Sequence, residues 1–414
     1  MNEALIIDAC RTPRGIGKAG KGALADMHPQ HLGAAVLRAL AQRNQLDTAE
    51  VDDVIWGTST QRGSQGGDLG RMAALDGGFD QRSSGVTLDR YCGSGITTVN
   101  LAAATIMSGM EDLVVAGGTE MMSMTAQLRD VSRDGPPMMD SGNLRLRASH
   151  PQSHQGVCAD AIATLEGISR SDLDALALLS QQRAAAAIAA GHFQRSLVPV
   201  HRLDGSLALD HDEFPRPQTT AEGLAGLKPA FAAMADVKID EMGNTFRGLI
   251  AQKYPDLDIR FVHHAGNSSG VVDGAAALLL ASPAYAARRG LKARARVRAF
   301  ANVGDCPTLM LNAPVPAARK ALAKAGLTVA DIDLWEINEA FAVVAEKFIR
   351  DLKLDRDRVN VNGGAMALGH PIGATGSMLI GTLLDELERR DLKRGLVTMC
   401  AGGGMAPAII IERL

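Results

Sequence analysis

Apolar positions along this chain follow two rhythms. Short β-branched and Leu-rich runs at residues 4–7, 53–56, 113–116, 294–300, 396–400 and 408–412 predict strands in buried sheets. Between them, Ala-rich stretches at 32–42, 95–107, 171–190, 316–325, 341–351 and 377–390 carry the character of helices. The alternation predicts an α/β fold.

Two passages repeat. Cys92-Gly93-Ser94-Gly95 opens an apolar helical stretch leading to Leu113-Val114-Val115-Ala116-Gly117-Gly118, and Gly373-Ala374-Thr375-Gly376 opens another leading to residues 395–403. A second echo pairs Asp53-Val54-Ile55-Trp56-Gly57 with Asp333-Leu334-Trp335-Glu336-Ile337. The chain therefore reads as a duplicated α/β unit whose halves meet at their glycine turns. Residues 121–254 differ in texture, with Met121-Met122-Ser123-Met124, Pro136-Pro137-Met138-Met139 and a loop-like 210–217, and read as an insertion. Its methionines suit soft core filling or an adaptable apolar wall.

At 414 residues, 46% hydrophobic and 21% charged, the chain has material for more than one packed unit. A net charge of −3 and 3% aromatics provide neither a basic field nor stacking surfaces, which argues against a nucleic-acid partner. No apolar run approaches the roughly 18–20 residues that span a bilayer, and residues 1–8 read as a strand rather than a leader. No membrane partner and a cytoplasmic location are expected. Cys10, Cys92, Cys158, Cys306 and Cys400 are odd in number and lack CxxC spacing, so a cysteine that matters acts as a thiol.

Cys92 stands between a strand-like run and a helix start, where the helix dipole lowers a thiol pKa and favours the nucleophilic thiolate; a buried structural cysteine is the plain alternative. His370 lies in a stretch, 362–376, too rich in glycine for a regular helix or strand, so backbone must pass close to something there. Held in that loop, with Pro371 fixing the next bond, it is a candidate base or oxyanion donor. Cys400-Ala401-Gly402-Gly403-Gly404 sets a second thiol beside backbone amides able to form an oxyanion hole. Asn338 either caps the following helix or holds a water or carbonyl. Weaker signals are set aside. Residues 15–22 lack the hydroxyl of a phosphate loop, His150/His154 and His263/His264 lack the partners of a metal site, and the 288–298 basic run reads as a solvated helix end and strand.

Four segments together resemble the thiolase family: Cys92-Gly93-Ser94-Gly95, Asn338-Glu339-Ala340-Phe341, Gly363 to Pro371, and Cys400 to Gly404 occur in that family's order and approximate spacing. Ala265-Gly266-Asn267-Ser268-Ser269-Gly270 looks like its coenzyme A loop. The resemblance implies two similar α/β halves with mixed sheets packed as layers, plus an inserted loop domain. The expected division is 1–120 with 255–283, an insertion at 121–254, and 284–414. It implies Cys92 as acylated nucleophile, His370 as its base, and Cys400 as the group moving the proton at the α-carbon of acetyl-CoA. Asn338 would hold a water that, with His370, stabilises one oxyanion, and the Cys92 and Gly402 amides would stabilise the other. Ser269 would touch pantetheine, with His154 and Phe341 lining its tunnel. Coenzyme A enters as co-substrate with no permanently bound cofactor, and the partners are acyl-CoA, coenzyme A and further copies in a homodimer or homotetramer.

Two sulfurs fit the chemistry, because cleaving a 3-oxoacyl thioester needs a soft nucleophile at one carbonyl and an acid for the enolate formed beside it. The reading is degradative thiolysis, with condensation of two acetyl-CoA as the alternative. A decarboxylating ketosynthase-type enzyme would lack the second cysteine, and a non-catalytic acyl-CoA scaffold would be expected to have lost a thiol. Gln155, Asp89, His263-His264 and a longer 231–262 stretch depart from the family pattern.

Overall fold

The computed structural model describes residues 3–125, 128 and 138–414, so Pro136 and Pro137 lie outside the described residues. Its strands are β1 (Leu5–Arg11), β2 (Gly15–Ile16), β3 (Asp53–Gly57), β4 (Val86–Leu88), β5 (Leu113–Met121), β6 (Val200–His201), β7 (Leu207–Leu209), β8 (Val272–Ala281), β9 (Ala295–Gly304), β10 (Leu334–Ile337), β11 (Arg394–Thr398) and β12 (Met405–Arg413). Among the described residues, ten of these join in the order β10-β11-β12-β9-β1-β8-β5-β3-β4, with β2 on β8, while β6 and β7 form a separate ribbon. The order is a palindrome. From the short β1–β9 junction outward, each half runs antiparallel, antiparallel, parallel: β1-β8-β5-β3 on one side, β9-β12-β11-β10 on the other.

The helices that matter here are α1 (Pro29–Arg43), α2 (Ser94–Ser108), α3 (Gln155–Leu165), α4 (Arg170–Ala189), α5 (Pro314–Ala325), α6 (Ala342–Leu352) and α7 (Thr375–Arg389). Ile96, Val99 and Ala103 of α2 and Leu379, Leu383 and Leu387 of α7 share one core with Leu278 and Val114 from one half-sheet and Val397 and Ile409 from the other. Outer cores pack α1 on the first half-sheet and α3, α5 and α6 on the second. The result is helix, sheet, paired helices, sheet, helix, with α2 and α7 in the middle layer.

The duplication is visible in hydrogen bonds. Asp52 Oδ2 accepts from the amides of Asp112 and Leu113 at 2.8 and 2.9 Å, and Asp333 Oδ2 accepts from those of Lys393 and Arg394 at 2.9 and 2.8 Å. Asp333 is thus the counterpart of Asp52, and the second sequence echo was aligned one residue out of register. With this pairing, the first residue of α2 falls on the first residue of α7. Two further expectations are corrected. β11 ends at Thr398, which leaves Cys400 in the turn beyond it. Arg294, in the supposedly solvated basic run, is 6% exposed and bonded to Asp385 and Glu388.

Candidate active site

The N-termini of α2 and α7 lie backbone against backbone. A Cβ on Gly376 would sit 2.2 Å from the Ile96 nitrogen, and one on Gly118 would sit 2.2 Å from the Gly373 carbonyl oxygen. Glycine is required for this approach, which brings the loop of His370 to the turn of Cys92. Buried Glu120 secures the contact, its Oε2 accepting from the Gly373 and Ser59 amides at 2.9 and 2.7 Å.

The Cys92 turn is held by local hydrogen bonds. Tyr91 adopts φ +51°, Asp89 Oδ1 accepts from the Tyr91 amide at 2.6 Å, and Ser94 Oγ accepts from the Arg90 amide at 2.8 Å while donating to the Tyr91 carbonyl at 2.7 Å. The expected low thiol pKa is not found. Burial pushes the Cys92 thiol up to about 12, with the charges of Glu120 and Asp89 adding, and this outweighs its place at the start of α2.

His370 is 4% exposed. Its Nδ1 lies 2.6 Å from Thr375 Oγ1, and that hydroxyl donates to the Pro371 carbonyl at 2.9 Å. The network therefore assigns the imidazole proton to Nδ1, which donates to Thr375 and leaves the Nε2 lone pair toward Asn338 Nδ2 at 3.3 Å. Burial, with the charge of Arg14 adding, lowers the His370 pKa to about 3, so the ring is neutral. Asn338 does not cap α6, whose N-cap is Phe341. It is 1% exposed, and among the described residues its Oδ1 has no hydrogen-bond partner.

The turn after β11 closes on Cys92. A Cβ on Gly93 would lie 2.8 Å from the Pro407 ring and 3.4 Å from Ala401 Cβ, and one on Gly402 would lie 3.0 Å from the Tyr91 ring. The two cysteine turns interlock. Burial raises the Cys400 pKa, and the charge of Cys92 raises it further. Met139 places its methyl within 2.6 Å of where a Gly402 Cβ would stand.

Ser269 belongs to a loop stitched to the same centre. Its amide donates to the Ala340 carbonyl at 3.0 Å, the Gly270 amide to the Ala365 carbonyl at 3.0 Å, and the His370 amide to the Gly270 carbonyl at 2.9 Å. His154 and Phe341 are joined through Phe231, at centroid separations of 5.7 Å on both sides. Beside the loop opens a cleft of about 270 Å³ lined by Phe214, Arg216, Thr220, Leu224, Gly266 and Met366. His263 and His264 are clamps. They bond Asp160 and Asp174, of α3 and α4, at 2.7 and 2.8 Å and tie the loop to those helices.

The thiolase N-terminal domain family matches residues 4–238, and the thiolase C-terminal domain family matches residues 291–413. This chain belongs to the thiolase family. It is 41% identical over 420 residues to an acetyl-CoA acetyltransferase of Chromobacterium violaceum, covering 99% of this chain and 100% of the relative. An acetyl-CoA acetyltransferase of Escherichia coli K12 and a 3-ketoacyl-CoA thiolase of Cronobacter sakazakii are each 40% identical, with full coverage of both chains. The protein is an acyltransferase of the thiolase type.

Sequence reasoning missed several groups that shape this thiolase site. Thr375 was legible only as a helix start, and its service to His370 depends on a turn no periodicity reveals. Glu120 lay hidden at the end of an apolar strand. Glu339 was quoted only for its neighbour, yet its carboxylate accepts from Ser180, Asn360 and the Met366 amide at 2.7, 3.0 and 3.2 Å, anchoring the glycine loop. An acidic residue inside an apolar motif was the available signal.

Proposed function

We propose that this thiolase cleaves 3-oxoacyl-CoA with coenzyme A, giving acetyl-CoA and a shortened acyl-CoA through an acyl-enzyme on Cys92. The observation that supports the reading is the interlocking of the Cys92 and Cys400 turns, with the loop that carries His370 packed against the start of α2 beside Cys92. Because burial favours the uncharged forms of both thiols and of the imidazole, proton transfer accompanies attack. The Cys92 sulfur adds to the 3-oxo carbonyl as its proton passes to His370 Nε2, and the Cys92 and Gly402 amides stabilise the oxyanion. Each such donor typically contributes roughly 2.7–4 kcal/mol.

Cleavage of the bond between C2 and C3 leaves the acyl group on Cys92 and an acetyl-CoA enolate. The imidazolium, now a donor at Nε2, stabilises the enolate oxygen together with a water held by Asn338, and Cys400 delivers the proton to carbon. Free coenzyme A then attacks the acyl-Cys92 thioester, its thiol proton passing to the Cys400 thiolate while the departing Cys92 sulfur recovers its proton from the His370 imidazolium, which restores the enzyme and gives ping-pong kinetics. Ser269 contacts pantetheine, His154 and Phe341 line its path, and Arg216 offers charge to the phosphates at the cleft mouth. Coenzyme A is a co-substrate, and no permanently bound cofactor enters these steps.

Met139 beside Gly402 supports an adaptable acyl wall and hence the degradative direction over condensation of two acetyl-CoA. The same reading takes the working assembly as a homodimer or homotetramer acting in the cytoplasm, with residues 121–254 as the inserted domain. The test combines thiolysis rates for 3-oxoacyl-CoAs of increasing length with mass analysis of the Cys92 peptide. Chains beyond four carbons are expected to be cleaved with kcat/KM at least equal to that of acetoacetyl-CoA. Strict four-carbon preference would defeat the degradative assignment, and an unmodified Cys92 peptide would defeat the nucleophile.

A further inference from the structure

Three groups around the candidate centre are sealed: His370, Asn338 and Cys400 are 4%, 1% and 1% exposed. Tyr91, Cys92, Met139, Gly402 and Gly403 are only half-buried, so the opening to the Cys92 sulfur lies on their side. Two side chains crowd one edge of that opening. A Cβ on Gly402 would stand 3.0 Å from both Cγ and Cδ2 of Tyr91 and 2.6 Å from the Met139 methyl, so one further carbon does not fit there. One residue on, the space is freer: a Cβ on Gly403 would find its nearest neighbours, the Met405 methyl and Gln152 Oε1, at 3.8 and 3.9 Å.

The two crowding side chains differ in how far they yield. Methionine is unbranched and adjusts by turning about several bonds. Tyr91 has no such freedom. Its backbone stands at φ +51°, an uncommon region for an aromatic residue, and is pinned on both sides: Asp89 Oδ1 accepts from its amide at 2.6 Å, and Ser94 Oγ donates to its carbonyl at 2.7 Å. Because Tyr91 adjoins Cys92 in the chain, shifting that backbone would shift the sulfur with it.

A thioester on Cys92 whose oxygen accepts from the Gly402 amide at about 2.9 Å has its carbonyl carbon about 4 Å from that nitrogen, and its first acyl carbon one bond further on. We propose that Tyr91, backed by Met139, is the specificity-determining residue for substitution at that first carbon. The ring admits an unbranched acyl chain, which runs toward Gly403 and Met405, and rejects one that carries a methyl branch next to the carbonyl. The inference rests on the acyl-transfer reading of Cys92 and Gly402, and adds to it a limit on branching that is separate from chain length.

The experiment follows acylation of the full-length protein by the mass of the Cys92 peptide over time, with butanoyl-CoA in one arm and its branched isomer 2-methylpropanoyl-CoA in the other. The wild-type protein is expected to take the straight acyl group at least about tenfold faster, the scale on which a pocket discriminates one methyl group. Tyr91→Asn, which removes the ring and suits a left-handed backbone, should lower that ratio at least about fivefold, and comparison with the wild type cancels the intrinsic reactivity of the two donors. Tyr91→Phe keeps the ring and should hold the ratio within about twofold, and Met139→Ala should lower it by less than Tyr91→Asn does. An unchanged ratio in a Tyr91→Asn protein that still acylates, a ratio that falls as far in Tyr91→Phe, or a larger fall in Met139→Ala than in Tyr91→Asn would overturn the proposal and leave the acyl-transfer reading standing. If Tyr91→Asn does not fold, Met139→Ala decides, a lowered ratio supporting the wall and an unchanged one removing it. A wild-type Cys92 that takes no acyl group from either donor would overturn the acyl-transfer reading and this inference with it.

Discussion

The two halves of the duplicated unit build the same frame and load it differently. In the first, the helix start carries the proposed nucleophile, with Cys92 two residues before α2. Gly373 occupies the equivalent place before α7. It can carry no side chain, because a Cβ there would lie 2.5 Å from Thr58 Cα and 2.8 Å from the Gly57 carbonyl oxygen. At the strand ends the loading reverses. Thr119, equivalent to Cys400, accepts a hydrogen bond from Trp56 Nε1 at 3.0 Å and is structural. Gly57, equivalent to Asn338, only makes room. In the proposed reading one half thus places its nucleophile at a helix start, the other its partners beyond two strand ends and in the loop before α7, and the close approach of α2 to α7 brings them together.

The largest test of this division separates the two sulfurs. Cys92→Ala is expected to abolish acyl-enzyme formation and lower thiolysis by about 10⁴-fold or more, as loss of a covalent nucleophile does. Cys400→Ala should still acquire mass from an acyl-CoA at Cys92 yet lose cleavage and formation of the carbon–carbon bond. Intact thiolysis in either variant would show that the halves do not divide the work in this way.

A smaller effect distinguishes two equivalent hydroxyls. Ser94 and Thr375 both open their helices and both donate to the carbonyl of the preceding turn, but only Thr375 also accepts from the imidazole. Thr375→Val frees His370 to change tautomer, and a loss of roughly ten- to hundredfold in kcat/KM is expected, with Thr375→Ser retaining activity. Ser94→Ala leaves the Arg90 amide without its acceptor and should cost about 1–2 kcal/mol of stability, read by denaturant unfolding. Equal catalytic losses in Thr375→Val and Ser94→Ala would mean that both hydroxyls serve only the turns.

This asymmetry marks the limit of what the sequence discloses. The helices were legible because their apolar spacing is strong: residues 32–42, 95–107 and 171–190 fall inside α1, α2 and, to within one residue, α4. β8 was not recognised as a strand. Its run of Ala and Leu has the composition of a helix, and it becomes a strand because it lies between β1 and β5 with all ten residues buried. The glycine turns announced a close approach without naming its partner. The ionisation of Cys92 was misjudged because dipole position is a local property, whereas desolvation is set by residues from both halves. Thr375 and Glu120 matter through contacts that only the fold creates.

The smallest effect tests the frame itself. Asp52 and Asp333 hold equivalent pairs of amides at nearly identical distances, and neither belongs to the candidate site. If the halves share one scaffold, Asp52→Ala and Asp333→Ala should each lose a carboxylate bonded to two amides and cost a similar amount, about 1–2 kcal/mol each in denaturant unfolding. Having no shared hydrogen-bond partners, the two changes should add to within about 0.5 kcal/mol in the double variant, with thiolysis per folded molecule unchanged. A markedly larger cost for one aspartate would mean that its half carries the stability of the whole, and that the symmetry of the hydrogen bonds is not a symmetry of energy.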